Sequence, residues 1–273
     1  MKKVLNDILK IYNTFVNENN IKLVKDNEYY SAKIRLGKNC IQVSTNNVDY
    51  LKSKINNFIC IMSSECKFFS QKNFIENFKT LKIKELTPEE IKKFKKEKSL
   101  NFCSSYNDEK NLIVLNQMEY DHIFHEFFHF SSKKNDAVFN EGLYYYIENV
   151  GYIGRGINEG YTEILRERYF DIDLKKTGYL YEYQMTQILE KIIGKEIMEY
   201  AYFQGNILNI IEELANYCTK EEAKKFIDNM DLMVFLLKKD DEKSKKTRKE
   251  LLDKNYLFLR NCLLNKEEIN KTK

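Results

Sequence analysis

Only three histidines occur in this chain of 273 residues, and two of them bracket a glutamate in His125-Glu126-Phe127-Phe128-His129. Side chains four apart on an α-helix project from one face, so both imidazoles can reach a single Zn²⁺ at about 2.0–2.1 Å. The glutamate beside the first histidine then faces the metal's open position, where it can take a proton from water acidified by the ion. The chemistry to which this spacing points is hydrolysis by activated water, with His125 and His129 as metal ligands and Glu126 as the base.

Two histidines do not complete a catalytic zinc site; a third protein ligand and an open position are required. Geometry argues against His122 on the same straight helix, where a helix-surface or supporting role suits it better. It lies seven residues before His129, about 10.5 Å along a helix axis, whereas ligand nitrogens on one zinc lie roughly 3–3.5 Å apart. Downstream, Gly156-Ile157-Asn158-Glu159-Gly160-Tyr161-Thr162-Glu163 offers two carboxylates at i and i+4. One can bind zinc while the other accepts a hydrogen bond from a ligand imidazole and fixes its tautomer.

His125–His129 followed by Asn158-Glu159-x-x-Thr162-Glu163 resembles the gluzincin metallopeptidases, the thermolysin-like and related aminopeptidase families. The likeness covers about 45 residues, from Asn116 to Glu163. It implies that Glu159 is the third zinc ligand, Glu163 the acidic partner of the first histidine and Glu126 the catalytic base. The chain departs from the pattern in two ways. Glu159 follows His129 by 30 positions, about ten more than in the best-known members, and a second Asn140-Glu141-Gly142 begins soon after the motif. Glu141 is therefore a rival ligand. Glu159 is preferred because it alone is followed by Thr-Glu, and because a glycine-rich loop can absorb the extra length. The resemblance also implies a later tyrosine or histidine as donor to the oxyanion. No histidine follows His129, which leaves Tyr179, Tyr181 and Tyr183, with Tyr181 favoured.

The elements that must position these residues are read from periodicity. Asn111–Leu115 reads as a buried strand leading into a motif helix from about Glu119 to Phe130. Upstream, Ile21–Val24, Tyr29–Leu36 and Cys40–Ser44 read as strands, the last two joined by a turn at Gly37-Lys38-Asn39. Val48, Leu51, Ile55, Phe58, Ile59 and Met62 follow a helical period. Thr87-Pro88-Glu89-Glu90 reads as the capped start of a Lys-rich helix over Ile91–Lys98. Five of nine glycines fall between Gly142 and Gly160, marking a mobile or tightly turning segment. Beyond residue 180 the pattern is helical, with a capping box at Thr219-Lys220-Glu221-Glu222. The expected fold class is α+β and zincin-like: a mixed region over 1–100, a catalytic core over 101–178 and a helical region over 179–273.

Composition bounds the alternatives. Hydrophobic residues at 43%, with 19 Tyr and 18 Phe, suffice for a real core. A net charge of +4 from 45 basic and 41 acidic residues argues against a dedicated nucleic-acid binder. No run approaches the roughly 18 apolar residues that cross a membrane. Val4, Leu5, Ile8, Leu9, Tyr12 and Phe15 recur at helical spacing, so an amphipathic opening helix is expected in place of an export signal. Six scattered cysteines without a Cys-x-x-Cys pair suit reduced thiols in the cytoplasm. The expectation is a cytoplasmic zinc metallopeptidase, a protease-type hydrolase with peptide or protein substrates, and no nucleic-acid or membrane partner. Hydrolysis of other acyl substrates is a second reading. The third is a non-catalytic or regulatory domain in which zinc clamps helices, or Phe124, Phe127, Phe128 and Phe130 make the motif helix an aromatic core element.

Overall fold

The computed structural model describes residues 24–26, 29–36, 39–45, 48–78, 81–86, 89–92, 104–107, 112–116, 122–133, 141–172, 177–239 and 241–272. The expected opening helix, the turn residues Gly37 and Lys38, the cap Thr87-Pro88 and most of the Lys-rich helix lie outside these residues. The described chain is mostly helical with a small sheet, an α+β composition. It groups into two compact units, 1–97 with 101–131, and 98–100 with 132–273.

The first unit carries a six-stranded sheet in the order β1-β2-β3-β4-β6-β5. β1 (Val24–Asp26), β2 (Tyr29–Leu36) and β3 (Asn39–Thr45) form an antiparallel meander, with Leu36 opposite Asn39. β4 (Lys82–Leu86) runs parallel to both β3 and β6 (Leu112–Asn116), and β5 (Ser104–Asn107) closes the edge antiparallel to β6. Parallel neighbours require a crossover. Helices α1 (Val48–Glu65) and α2 (Gln71–Phe78) lie between β3 and β4 in the chain. On α1, Leu51, Ile55, Phe58, Ile59 and Met62 are buried, the stripe that the helical period requires.

The motif helix α3 (Ile123–Ser132) follows β6 and is anchored by this core. The Phe58 ring packs on Phe74, Phe124, Phe127 and Phe128 at centroid separations of 5.1–6.4 Å, and Phe130 meets Phe74 edge-on at 5.0 Å. The last carbonyls of a helix lack intrahelical partners. Here the side-chain amides of Asn77 and Asn73 donate to Phe130 O and Ser131 O, each at 3.1 Å. Packing and capping together fix the rotation of α3 about its axis, and so the face that carries the histidines.

The second unit opens with the hairpin β7 (Tyr145–Ile147) and β8 (Gly151–Ile153), which turns through Asn149 at φ 65°. Among the described residues six helices follow: α4 (Arg155–Phe170), α5 (Leu180–Ile193), α6 (Lys195–Gln204), α7 (Ile207–Leu214), α8 (Lys220–Leu237) and α9 (Glu242–Lys271). The expected capping box opens α8, with Thr219 and Glu222 bonded reciprocally. α4 is the central helix, buried continuously from Gly156 to Arg166. Its crossing with α8 is close enough that a Cβ at Gly156 would lie 2.3 Å from the Met230 carbonyl, so only glycine fits. Arg168 of α4 ties Glu190 of α5 to Glu199 of α6, and Arg248 of α9 holds the fully buried Glu182 of α5. Among the described residues no helix is long and apolar enough to cross a membrane.

Candidate metal centre

On α3, His125, Glu126 and His129 are 5%, 4% and 4% exposed, so the motif's polar face is as buried as its aromatic one. Their Nε2 atoms lie 2.9 Å apart, with the rings at 70° to each other. Two nitrogens on a tetrahedral zinc lie about 3.3 Å apart, so the pair needs only a few tenths of an ångström of adjustment to share an ion. Two buried imidazoles with converging Nε2 atoms form a donor set that suits zinc. His122 begins the helical turn before α3 and is half-buried.

Glu159 stands on the second turn of α4, buried to 7% exposure. Arg155, one turn earlier, approaches it with Nε 3.7 Å from Oε1. Two residues outside the motif pattern complete this neighbourhood. Tyr144 presents its ring to the Arg155 guanidinium at 5.8 Å, and the Arg155 charge is felt by Glu159, Tyr179, Tyr144 and Glu141. Burial, ahead of the opposing pull of Arg155, pushes the Tyr144 hydroxyl's pKa up. The i, i+4 spacing of Arg155 and Glu159 was visible in the sequence; the part played by Tyr144 was not.

Asn158, which precedes the candidate ligand in the motif, has a structural task. Its Oδ1 accepts the Leu143 N–H at 2.8 Å and pins the turn that Glu141 and Tyr144 close by mutual backbone bonds. Gly142 within that turn has φ +57°, and a Cβ there would stand 2.2 Å from Asn158 Oδ1. Glu141 therefore belongs to a turn built onto α4, close to the same buried Tyr202 on which Glu159 acts. Thr162 hydrogen-bonds both the Asn158 carbonyl and the Tyr202 hydroxyl at 2.8 Å.

Glu163, expected as partner of the first histidine, receives a hydrogen bond from Arg166 Nη1 at 2.6 Å, with both side chains buried. The three tyrosine candidates separate. Tyr183 donates to Glu167 and accepts from Gln187, which commits its hydroxyl, and burial with Glu167 raises its pKa. Tyr181 is half-buried, with Arg248 over its ring at 4.8 Å. Tyr179 lies just before α5, within electrostatic reach of Arg155.

The start of α4 is held from α8. Both oxygens of Asp231 accept backbone N–H groups, from Gly154 and Gly156, at 2.8 Å. Burial pushes this carboxyl up to about 6, against the pull of those N–H groups and of Arg155. A carboxyl whose folded pKa exceeds its unfolded value of 3.8 binds a proton on folding. Its contribution is therefore full below about pH 4 and is lost as pH rises through about 6. Asp231→Asn should flatten this slope. Wild type is expected to lose about 1–3 kcal/mol of unfolding free energy relative to Asp231→Asn between pH 4 and 7, read by denaturant titration. A difference independent of pH would contradict the assignment.

Comparison with protein-family models, curated proteins and solved structures finds no match to this chain.

Proposed function

We propose that this chain is a zinc-dependent peptidase of gluzincin type with a zincin-like fold, in which His125, His129 and Glu159 hold the metal and Glu126 is the general base. One observation carries the reading. A donor atom from each of His125, His129 and Glu159 lies within 4.8 Å of the other two, and all three residues are buried. Glu141, the rival third ligand, is not in that group. Three ligands of N, N and O type leave a fourth position open, which is the pattern of catalytic rather than structural zinc.

Bound zinc would supply Lewis acidity, acidifying water and polarising the substrate carbonyl. Glu126 then takes the proton of the attacking water and passes it to the leaving amine. Its burial excludes competing bulk water and strengthens its interaction with that proton. Glu163 would orient a ligand imidazole, and a tyrosine hydroxyl, with Tyr181 and Tyr179 as candidates, would donate to the oxyanion. The free thiols of Cys60, Cys66, Cys218 and Cys262 suit a reducing, cytoplasmic setting.

A second reading draws on the phenylalanine core around α3: a non-catalytic or regulatory domain in which that helix, or a zinc held by it, is structural. Peptide cleavage separates the two. The purified protein, incubated with a mixed peptide library, should release fragments, stop on removal of metal by a chelator and resume on return of stoichiometric zinc. Cleavage indifferent to chelation, or no cleavage by the zinc-loaded protein, would favour the structural role.

A further inference from the structure

We propose that Arg155 is a positioning residue for Glu159, holding its carboxylate turned in one direction, and that the Tyr144 ring is the platform that keeps Arg155 in place. The inference rests on the reading of Glu159 as a metal ligand.

Arg155 occupies the first position of α4, where the helix dipole disfavours a cation, and no acidic residue lies in that turn to offset it. Local carboxylates must outweigh that penalty: Asp231, held on the flanking Gly154 and Gly156 N–H groups, and Glu159, which Arg155 approaches most directly. A buried carboxylate needs a compensating charge, and Arg155 is the basic side chain described beside it. Their separation of 3.7 Å is too long for a hydrogen bond. The guanidinium therefore supports the charge without a close fork that would occupy the carboxylate oxygens. Tyr144 is itself fixed on three sides. Its backbone is bonded to Glu141, its turn is pinned by Asn158, and its ring stacks on Tyr152 at 4.9 Å. The glycine at 142 allows that turn to seat against Asn158. Glu141 and Gly142 thus acquire a role distinct from ligation: they lie in the turn that carries the platform.

The test measures zinc affinity of the full chain by competition with a chromophoric chelator, together with the visible spectrum of the cobalt-substituted protein. Arg155→Met should weaken zinc binding roughly 10- to 100-fold and alter the cobalt spectrum. Arg155→Lys should recover most of the affinity, and Arg155→Gln decides the matter if the methionine variant does not fold. Tyr144→Phe should behave as wild type, because the ring rather than the hydroxyl faces the guanidinium, whereas Tyr144→Ala should weaken binding. Wild-type affinity and spectrum in folded Arg155→Met would overturn the positioning role alone. Equal losses in Tyr144→Phe and Tyr144→Ala would overturn the platform. A wild type that takes up no zinc would overturn this proposal and the function reading together.

Discussion

Glu126→Gln is expected to lower peptide cleavage by about 10²–10⁴-fold while zinc content and thermal stability stay at wild-type values. The substitution keeps the size of the side chain and removes only its ability to accept a proton. Because Glu126 is not one of the donor atoms of the candidate ligand group, metal should be retained. Its burial at 4% exposure makes the result diagnostic, since bulk water does not readily replace a base enclosed to this degree. The measurement is turnover on any peptide that wild type cleaves, beside zinc content of both proteins. Undiminished cleavage would remove Glu126 from the chemistry and leave the motif helix as a packed aromatic element.

The second large effect concerns stability. Arg166 and Glu163 form an ion pair with side chains 3% and 2% exposed. Arg166→Met leaves the Glu163 charge buried without its described counter-ion, a loss expected to cost about 3–5 kcal/mol in a denaturant titration. Glu163→Gln with Arg166→Met removes both charges and should recover most of that loss. A single variant within about 1 kcal/mol of wild type would contradict the burial of the pair. The same double variant examines the other role assigned to Glu163. If it orients a ligand histidine, zinc affinity stays reduced although stability returns.

The parts of the fold that the sequence announced are those set by local periodicity. The α1 stripe, the β2–β3 pairing, β6, the motif helix and the α8 capping box each follow from spacings within a few residues. β4 went unread because Lys82 and Lys84 alternate with Ile83 and buried Glu85 in a Lys-rich stretch that resembles a solvated surface. The glycines between Gly142 and Gly160 suggest a mobile or turning segment, yet it contains a hairpin in which Tyr144 and Tyr146 pack on Tyr152. The run Tyr144-Tyr145-Tyr146 before Asn149 and Tyr152-Ile153 after it are the available signal.

At the candidate site, the buried grouping of His125 and His129 follows from their helical spacing, whereas Glu159, 30 positions on, is reached through the resemblance of its Asn-Glu-x-x-Thr-Glu pattern. Arg155 and Arg166 stand at i, i+4 and i, i+3 to Glu159 and Glu163, but a cation is no metal ligand, so ligand chemistry alone does not point to them. Asp231 was not legible. It meets Gly154 and Gly156 across more than seventy residues, and only the packing of α8 on α4 brings it there.

The central claim is that this chain holds one catalytic zinc on His125, His129 and Glu159. Elemental analysis of purified wild type beside Glu159→Gln and Glu141→Gln tests it most directly. The account predicts one zinc per chain in wild type and Glu141→Gln, and its loss or weakening in Glu159→Gln. Wild type that carries no zinc and takes none up, or zinc lost from Glu141→Gln and kept by Glu159→Gln, would contradict it.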